Sequence, residues 1–152
     1  MALRVDIVSD IVCPWCVIGY LRLERVLDRI VTNQPIEIHW HPFELNPTMS
    51  QQGEGLDQHV LDKYAVTNEA SIKAQQSLIK LGNELNFAFN FTVNSKIYNT
   101  RKAHQLLMWS SQFGLQYSLN MALYRAYFTD QMDISCSEDL CTIAQSIGLN
   151  PE

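Results

Sequence analysis

The chain has 152 residues, of which 47% are hydrophobic and 18% are charged, and its formal net charge is −5. This length predicts one domain with its own hydrophobic core. The ordinary apolar content excludes a disordered low-complexity chain, and the acidic balance argues against a nucleic-acid-binding protein, which usually carries a basic domain. Charged residues interrupt the N-terminal stretch, so we expect neither a secretory signal nor a membrane span, and hence a cytoplasmic protein.

The first 47 residues carry the pattern of a strand–helix–strand unit. Residues 3–7 alternate between apolar and charged side chains, which predicts a strand. Apolar residues then recur at helical spacing over residues 16–30, and a turn at residues 33–35 ends this helix. The apolar helix face consists of Cys16, Tyr20, Leu23, Leu27 and Ile30. A second strand covers residues 36–40 and stops at Pro42. Such a unit predicts two parallel strands joined by a right-handed crossover.

Residues 48–152 are predicted to form a helical subdomain, which follows a polar, glycine-containing linker at residues 49–55. Helical patterns dominate from residue 56 onward. Apolar stripes indicate helices over residues 70–85, 103–110, 119–128 and 140–147. Between the first two, three phenylalanines alternate with smaller or polar residues over 87–91, which predicts a short extended segment. The predicted class is therefore α/β, with a βαβ start joined to helices.

The pair Cys13 and Cys16 stands where the first strand gives way to the helix. Pro14 is favoured at the first helical position, which makes Cys13 the N-cap and places Trp15 and Cys16 in the first turn. A thiolate at Cys13 faces unpaired N–H groups and the positive end of the helix dipole, where cysteine pKa values can fall to roughly 3.5–7.5. We therefore predict that Cys13 is the nucleophile and that Cys16, on the buried helix face, resolves the mixed disulfide. Asp10 is a candidate for relaying protons or for raising the pKa of the thiol.

The remaining cysteines, Cys136 and Cys141, leave a zinc site as an alternative, because a C-x-x-C pair can be half of one. The strand-then-helix context of the first pair favours redox chemistry instead, and no metal site is predicted. Within one helix, Cys136 and Cys141 would be separated by about 7.5 Å along the axis and by a rotation of roughly 140°. That geometry is unsuitable for a disulfide unless Cys136 caps the helix from outside. We expect two unpaired cysteines, with Cys141 buried.

Several sequence motifs are similar to those of one family. Residues 10–16, D-I-V-C-P-W-C, resemble the active site of the FrnE-like branch of the DsbA family of thioredoxin-fold oxidoreductases. Residues 42–47, P-F-E-L-N-P, residues 99–104, N-T-R-K-A-H, and the helix at 140–149 resemble the same family, in the same order. The resemblance implies a thioredoxin-like βαβ unit at residues 1–47 and a large helical insertion at residues 48–152. It also implies dithiol–disulfide exchange through Cys13 and Cys16 with a protein or small-molecule substrate.

The related kappa-class glutathione transferases and hydroxychromene-carboxylate isomerases share this layout, but they typically carry serine in place of the nucleophilic thiol and lack the resolving cysteine. Because both cysteines are present here, the redox branch is favoured. A glutathione-dependent isomerase or transferase remains the alternative, and a zinc-binding, non-enzymatic module is a third hypothesis. We expect no tightly bound cofactor, with glutathione as a candidate redox partner, and neither a nucleic-acid nor a membrane partner.

Four further residues are candidates for substrate binding. Phe43 follows the second strand at the sheet edge where Cys13 follows the first, and ligands of parallel sheets bind beyond such edges. Asn99 and Arg101 lie at the start of a helix in a region rich in Lys and Arg, where a positive patch would steady a thiolate or bind a carboxylate. His104 lies in the same helix. The alternatives are core packing for Phe43, a solvated basic face for Arg101 and a structural role for His104.

In the resembled family, a β-hairpin and a final helix follow the helical insertion, and a cis-proline lies opposite the cysteine pair. The prolines of this chain stand at positions 14, 35, 42, 47 and 151, none of which matches that place. The resemblance therefore implies that the C-terminal ββα half of the thioredoxin core is missing. We expect either a truncated chain or a homo-oligomer in which a partner copy supplies the missing strands.

Overall fold

The computed structural model describes residues 2–30 and 34–150, so Asn33 of the predicted turn lies outside the described residues. The N-terminal part contains strand β1 (Leu3–Ser9), helix α1 (Pro14–Leu27) and strand β2 (Ile36–Pro42). Next come β3 (Glu54–Gly55), α2 (Leu56–Tyr64), α3 (Asn68–Glu84) and β4 (Lys96–Ile97). The chain continues through α4 (Arg101–Ser110), a 3₁₀ turn (Ser111–Phe113), α5 (Gln116–Phe128) and α6 (Ser137–Ser146). Within the two described ranges, no helix has the length and apolarity that crossing a membrane requires.

Strands β1 and β2 form a parallel pair, as the βαβ pattern predicts. Leu3 lies opposite Ile36 and Ile7 lies opposite Trp40. Trp40 is almost fully buried, and its ring lies 5.1 Å from that of Tyr20 on α1, measured between centroids. The strands alternate as a half-buried sheet should, so their apolar face joins the core while the other face stays largely exposed.

Helix α1 begins as predicted, with Cys13 at the N-cap and Pro14 at the first helical position. Its predicted buried face is only partly correct. The buried residues are Val17, Ile18, Tyr20 and Leu21, which lie in the first half of the helix. The helix ends at Leu27, so Ile30 lies beyond it and is half exposed. The first half of the helix therefore faces the core, while the second half makes polar contacts, in which Arg25 donates to the Glu84 carbonyl oxygen at the end of α3 and Glu24 accepts a hydrogen bond from Tyr117.

Helices α3 to α6 follow the predicted stripes, and α3 is capped by Thr67, whose side chain accepts a hydrogen bond from the Ala70 N–H. The predicted extended segment at residues 87–91 alternates in burial but pairs with none of the strands β1 to β4 that the structure describes. Instead, Phe87 and Phe89 pack against Phe128 of α5. One buried cluster contains these rings together with side chains from the βαβ unit, so both parts of the chain share a core.

A side chain closes the edge of β2 that points away from β1. Gln116, the first residue of α5, accepts a hydrogen bond from the Trp40 N–H at 3.2 Å. Its Nε2 also donates to the Trp40 carbonyl oxygen at 3.1 Å. A neighbouring strand would make the same two backbone contacts. This amide therefore attaches the helical part of the chain to the sheet.

Candidate active site

Cys13 and Cys16 are both free thiols. Cys13 lies in the turn from β1 to α1, and Cys16 lies in the first turn of α1. The Cys13 N–H donates to the Asp10 carbonyl oxygen at 3.2 Å, and the Cys16 N–H donates to the Cys13 carbonyl oxygen at 3.1 Å. These bonds place the Cys13 sulfur at the positive end of α1. Both cysteines are partly exposed, so the prediction that Cys16 is buried is wrong. The buried side of α1 is centred on Val17 and Ile18, one residue further along the helix.

The two thiols differ in how readily they ionise. A hydrogen bond from the Cys16 thiol is the main cause that lowers the pKa of Cys13 to about 7, and backbone N–H groups of Cys16 and Trp15 act in the same direction. Burial and the nearby charge of Asp10 oppose this shift. The same hydrogen bond, followed by burial, raises the pKa of Cys16. At neutral pH, Cys13 therefore ionises far more readily than Cys16, which keeps its proton.

Asp10 lies beneath this pair with only 1% of its surface exposed. Its Oδ1 accepts a hydrogen bond from the Ile11 N–H at 2.8 Å, and its Oδ2 accepts one from the Leu45 N–H at 2.7 Å. His104 Nε2 of α4 lies 3.0 Å from Oδ1. Asp10 thus connects three parts of the chain. These are the active-site turn, the segment that follows β2, and helix α4. The pairing with His104 was not foreseen, because 94 positions separate the two residues.

A cavity of about 290 Å³ opens beside Cys13. Trp15 lines it from α1, Val60 and Tyr64 line it from α2, and Leu78 lines it from α3. The polar side chains in its wall are Cys13, Asn46, His59, Ser71 and Gln75. No Lys, Arg, Asp or Glu among residues 2–30 and 34–150 lines this space. The cavity therefore suits an uncharged, largely apolar group next to the Cys13 sulfur.

The fold and the dithiol motif agree with a comparison against known families. The sequence profile of the DSBA-like thioredoxin domain matches residues 4–152. The chain belongs to this family. The predicted DsbA family and the α/β, thioredoxin-like class with a helical insertion are thereby confirmed. The assignment to the FrnE-like branch stays a prediction.

Individual relatives of this DSBA-like domain come from bacteria. The protein YwbO of Bacillus subtilis (strain 168) is 25% identical over 150 residues, which are 99% of this chain and 68% of YwbO. The probable DsbA oxidoreductase SCO1869 from Streptomyces coelicolor is 27% identical over 97% of this chain, with a TM-score of 0.91. A putative protein disulfide isomerase from Nitrosomonas europaea shares the fold, with 14% identity, a TM-score of 0.66 and coverage of 99% of this chain and 67% of its own. The chain spans 64% of the length of the Streptomyces structure.

Pro14 and Trp15, predicted next to the active site, line the cavity at Cys13, but the four predicted substrate-binding residues of the DSBA-like domain do not. Phe43 is half exposed, and its N–H donates to the Ser9 carbonyl oxygen. Buried Asn99 donates to the Met49 carbonyl oxygen and accepts from the N–H of Arg101, where α4 begins. The Arg101 guanidinium forms an ion pair with Glu44 at 3.1 Å, which offsets part of its charge. Substrate binding by Phe43, Asn99, Arg101 and His104 stays a prediction, and His104 reaches the site through Asp10.

The cavity wall contributed by α2 and α3 was missed at the sequence level. Val60 and Tyr64 are four residues apart on α2, which places them on one helix face. That spacing was the available signal. Lys63, between them, donates from Nζ to the Leu45 carbonyl oxygen and to the Asn46 side chain. This contact ties α2 to the segment that follows β2, and so fixes the cavity wall next to Cys13.

Cys136 and Cys141 are free thiols, as expected, and Cys136 is the N-cap of α6. The prediction that Cys141 is buried is wrong, because it lies partly exposed in a groove with Lys102 and Trp109. In the part of the chain that the structure describes, no three His, Cys, Asp or Glu side chains gather in a way that could hold a metal ion. The four cysteines therefore do not form the site that the zinc hypothesis requires.

Proposed function

We propose that this chain is a thiol–disulfide oxidoreductase in which Cys13 is the nucleophile and Cys16 is the resolving cysteine. The observation that carries the proposal is the unequal ionisation of two adjacent thiols at the start of α1. The pKa of Cys13 is lowered to about 7, and that of Cys16 is raised. A thiolate is the form that attacks disulfides, and a pKa near ambient pH combines ionisation with nucleophilicity. The 27% identical Streptomyces relative, a probable DsbA oxidoreductase, supports the same activity.

The reaction proceeds in two exchange steps. The Cys13 thiolate attacks one sulfur of a substrate disulfide, forms a mixed disulfide and releases the other sulfur as a thiolate that takes up a proton. Cys16 then loses its proton and attacks the Cys13 sulfur, which forms the Cys13–Cys16 disulfide and releases the second substrate thiolate. The substrate gains two electrons and the protein loses two. A thiol pool such as glutathione returns the protein to the dithiol, and the reverse sequence oxidises a substrate dithiol.

The proposed substrate is a protein or small-molecule disulfide, with glutathione as the redox partner rather than a resident cofactor. The uncharged wall of the Cys13 cavity supports a substrate whose group next to the disulfide is apolar. A cytoplasmic location is part of the proposal. It is supported by the four free thiols, since unpaired cysteines are the rule in reducing compartments.

The test is a titration of the purified protein in glutathione redox buffers, with the Cys13–Cys16 disulfide followed by mass spectrometry. We expect an intramolecular disulfide with a potential between about −270 and −120 mV, the range spanned by thioredoxin and DsbA. Cys13→Ala abolishes exchange, Cys16→Ala accumulates a mixed disulfide, and the control Cys141→Ala behaves as wild type. A protein that forms no Cys13–Cys16 disulfide at any potential would contradict the proposal. Turnover of a glutathione conjugate that survives Cys16→Ala would point to the isomerase or transferase instead.

A further inference from the structure

Asp10 and His104 form a buried pair that the exchange steps above do not use. Only 1% of Asp10 and 5% of His104 are exposed. The carboxylate is held from three directions, by the N–H groups of Ile11 and Leu45 and by His104 Nε2. The other ring nitrogen of His104, Nδ1, is buried without a hydrogen-bond partner in residues 2–30 and 34–150. An unpaired buried polar atom is costly, so the polar contact of the His104 ring with the rest of the described chain runs through Nε2.

Asp10 also acts on the two thiols through its charge. The hydrogen bond between the thiols and their burial have the largest effects on the two pKa values, and the Asp10 carboxylate adds a smaller effect that raises the pKa of both Cys13 and Cys16. The ionisable groups that face Cys13 or share its cavity are Cys16 on α1, Asp10 on the turn, His59 and Tyr64 on α2, and Tyr124 and Tyr127 on α5. Among these, Asp10 alone is a carboxylate. The stability of the Cys13 thiolate is therefore sensitive to how completely the Asp10 charge is compensated.

We propose that His104 is a positioning residue which, through its hydrogen bond to Asp10, sets the reduction potential of the Cys13–Cys16 pair. The inference rests on the proposed oxidoreductase function and assigns a part of it to the helical insertion. His104 belongs to α4, and its Nε2–H holds the carboxylate in place and offsets part of its charge. The docking of α4 against the active-site turn thus becomes a determinant of how oxidising the dithiol is.

The proposal predicts in which direction the pKa of Cys13 and the reduction potential change in each variant. A better stabilised thiolate favours the reduced form and makes the protein more oxidising. Asp10→Asn removes the charge, so the pKa of Cys13 falls below about 7 and the potential rises. His104→Leu removes the Nε2–H donor and leaves the charge less compensated, so both quantities move in the opposite direction. His104→Gln keeps an N–H donor at the same reach and restores wild-type behaviour.

The experiment measures the pH profile of Cys13 alkylation and the glutathione equilibrium constant for five variants. They are Asp10→Asn, His104→Leu, His104→Gln, the double variant Asp10→Asn with His104→Leu, and the control Asp130→Asn, which removes an exposed carboxylate outside the site. We expect about a tenfold change in the equilibrium constant for Asp10→Asn, which corresponds to about 30 mV. In the Asp10→Asn background, His104→Leu changes nothing further, because its only route to Cys13 has been removed.

Two results would overturn the proposal. One is an Asp10→Asn protein whose Cys13 profile and potential match wild type. The other is a His104→Leu shift that persists at full size in the Asp10→Asn background. If Asp10→Asn does not fold, the comparison of His104→Leu with His104→Gln still decides, since equal behaviour of the two contradicts the role of the donor. The alkylation profile needs no turnover, so it tests this inference even where the protein fails to form a disulfide and the proposed function fails.

Discussion

At Cys13, one hydrogen bond decides how much of the thiol is ionised at neutral pH. The donor is the thiol of Cys16, and this bond lowers the pKa of Cys13 more than either backbone N–H group at the start of α1 does. The sequence pattern predicted the effect of the helix terminus but not the effect of the Cys16 thiol. The residue that resolves the mixed disulfide thus also prepares the nucleophile.

Replacement of Cys16 by alanine tests this hydrogen bond. In Cys16→Ala, the pKa of Cys13 rises from about 7 toward the ordinary cysteine value of about 8.5. The measurement is the rate of iodoacetamide alkylation at Cys13 between pH 5 and pH 10, followed by peptide mass spectrometry. Cys136→Ala is the matched control, because it removes a thiol outside the pair. An unchanged midpoint in Cys16→Ala would show that the helix terminus is sufficient.

The shifted thiols also make the stability of the reduced protein depend on pH. The pKa of Cys13 is lower in the folded state than in the unfolded state, so its contribution is present above about pH 8.5 and is lost as the pH falls through about 7. The pKa of Cys16 is raised, so its contribution is present below about pH 8.5 and is lost at higher pH.

We therefore expect the free energy of unfolding of the reduced protein, relative to a Cys13→Ala, Cys16→Ala double variant, to rise between pH 7 and pH 8.5 and to fall above that. Urea unfolding in the presence of a phosphine reductant measures it. A difference that stays flat from pH 6 to pH 10 would contradict the assignment of both shifts.

The local features of the site were predictable and the distant contacts were not. Pro14 and Cys13 take their predicted places because N-capping depends on neighbouring residues alone. The contact of Asp10 with His104 and the pairing of Arg101 with Glu44 depend on how α4 docks. No local pattern encodes that docking, so neither contact could be predicted from the sequence.

At the scale of the elements, the last turn of α3 packs so closely against the phenylalanine segment at residues 87–91 that Gly82 has no room for a side chain. A Cβ at Gly82 would lie 2.5 Å from the Phe87 carbonyl oxygen and 2.5 Å from the Phe89 ring. Gly82 therefore allows the phenylalanine segment to turn back across the end of α3. Because Gly82 carries a hydrogen where alanine would carry a methyl group, Phe87 and Phe89 can pack against Phe128.

Gly82→Ala should destabilise the protein by about 1–3 kcal/mol through overpacking, despite the better helix propensity of alanine. The matched control is Gly19→Ala in α1, where no atom lies within 4 Å of the added Cβ. That variant should gain up to about 1 kcal/mol. Urea unfolding of both variants gives the comparison, and a Gly82→Ala protein as stable as Gly19→Ala would refute the packing argument.

Element boundaries in α1 show where periodicity stops being informative. The spacing of apolar residues continues to Ile30, yet the helix ends at Leu27, and of the predicted face only Tyr20 is buried, beside Val17, Ile18 and Leu21. Periodicity reports that one face is apolar, but the partner surface decides which residues become buried. Helix α5, which is buried on most sides, was predicted more closely, whereas in α3 only Leu78 of the predicted stripe is buried and Ala74 is exposed.

For the molecule as a whole, the amide of Gln116 is the most direct link between sheet and helices. Trp40 is 2% exposed, so its backbone N–H and carbonyl oxygen would lack partners without that amide. Leaving such buried groups unpaired costs about 1–3 kcal/mol each. The link joins residues 76 positions apart and could not be read from either local pattern.

Gln116→Ala should therefore lower the free energy of unfolding by about 2–4 kcal/mol, allowing for partial access of water to the freed groups. Gln112→Ala, at an exposed position in the preceding 3₁₀ turn, should change it by less than about 0.5 kcal/mol. Thermal and urea unfolding measure both. Similar stabilities for the two variants would mean that the amide contacts are replaceable by solvent.

The Gln116 amide has a further consequence for how this sheet can be extended. By occupying the outer hydrogen-bonding groups of Trp40, it blocks β2 as a template for a further strand at the centre of its length. Any strand that is added to the pair, from the same chain or from another, must align beside β1 unless it first displaces α5. The sheet can therefore be extended only at the free edge of β1, which lies on the side of the sheet opposite Gln116.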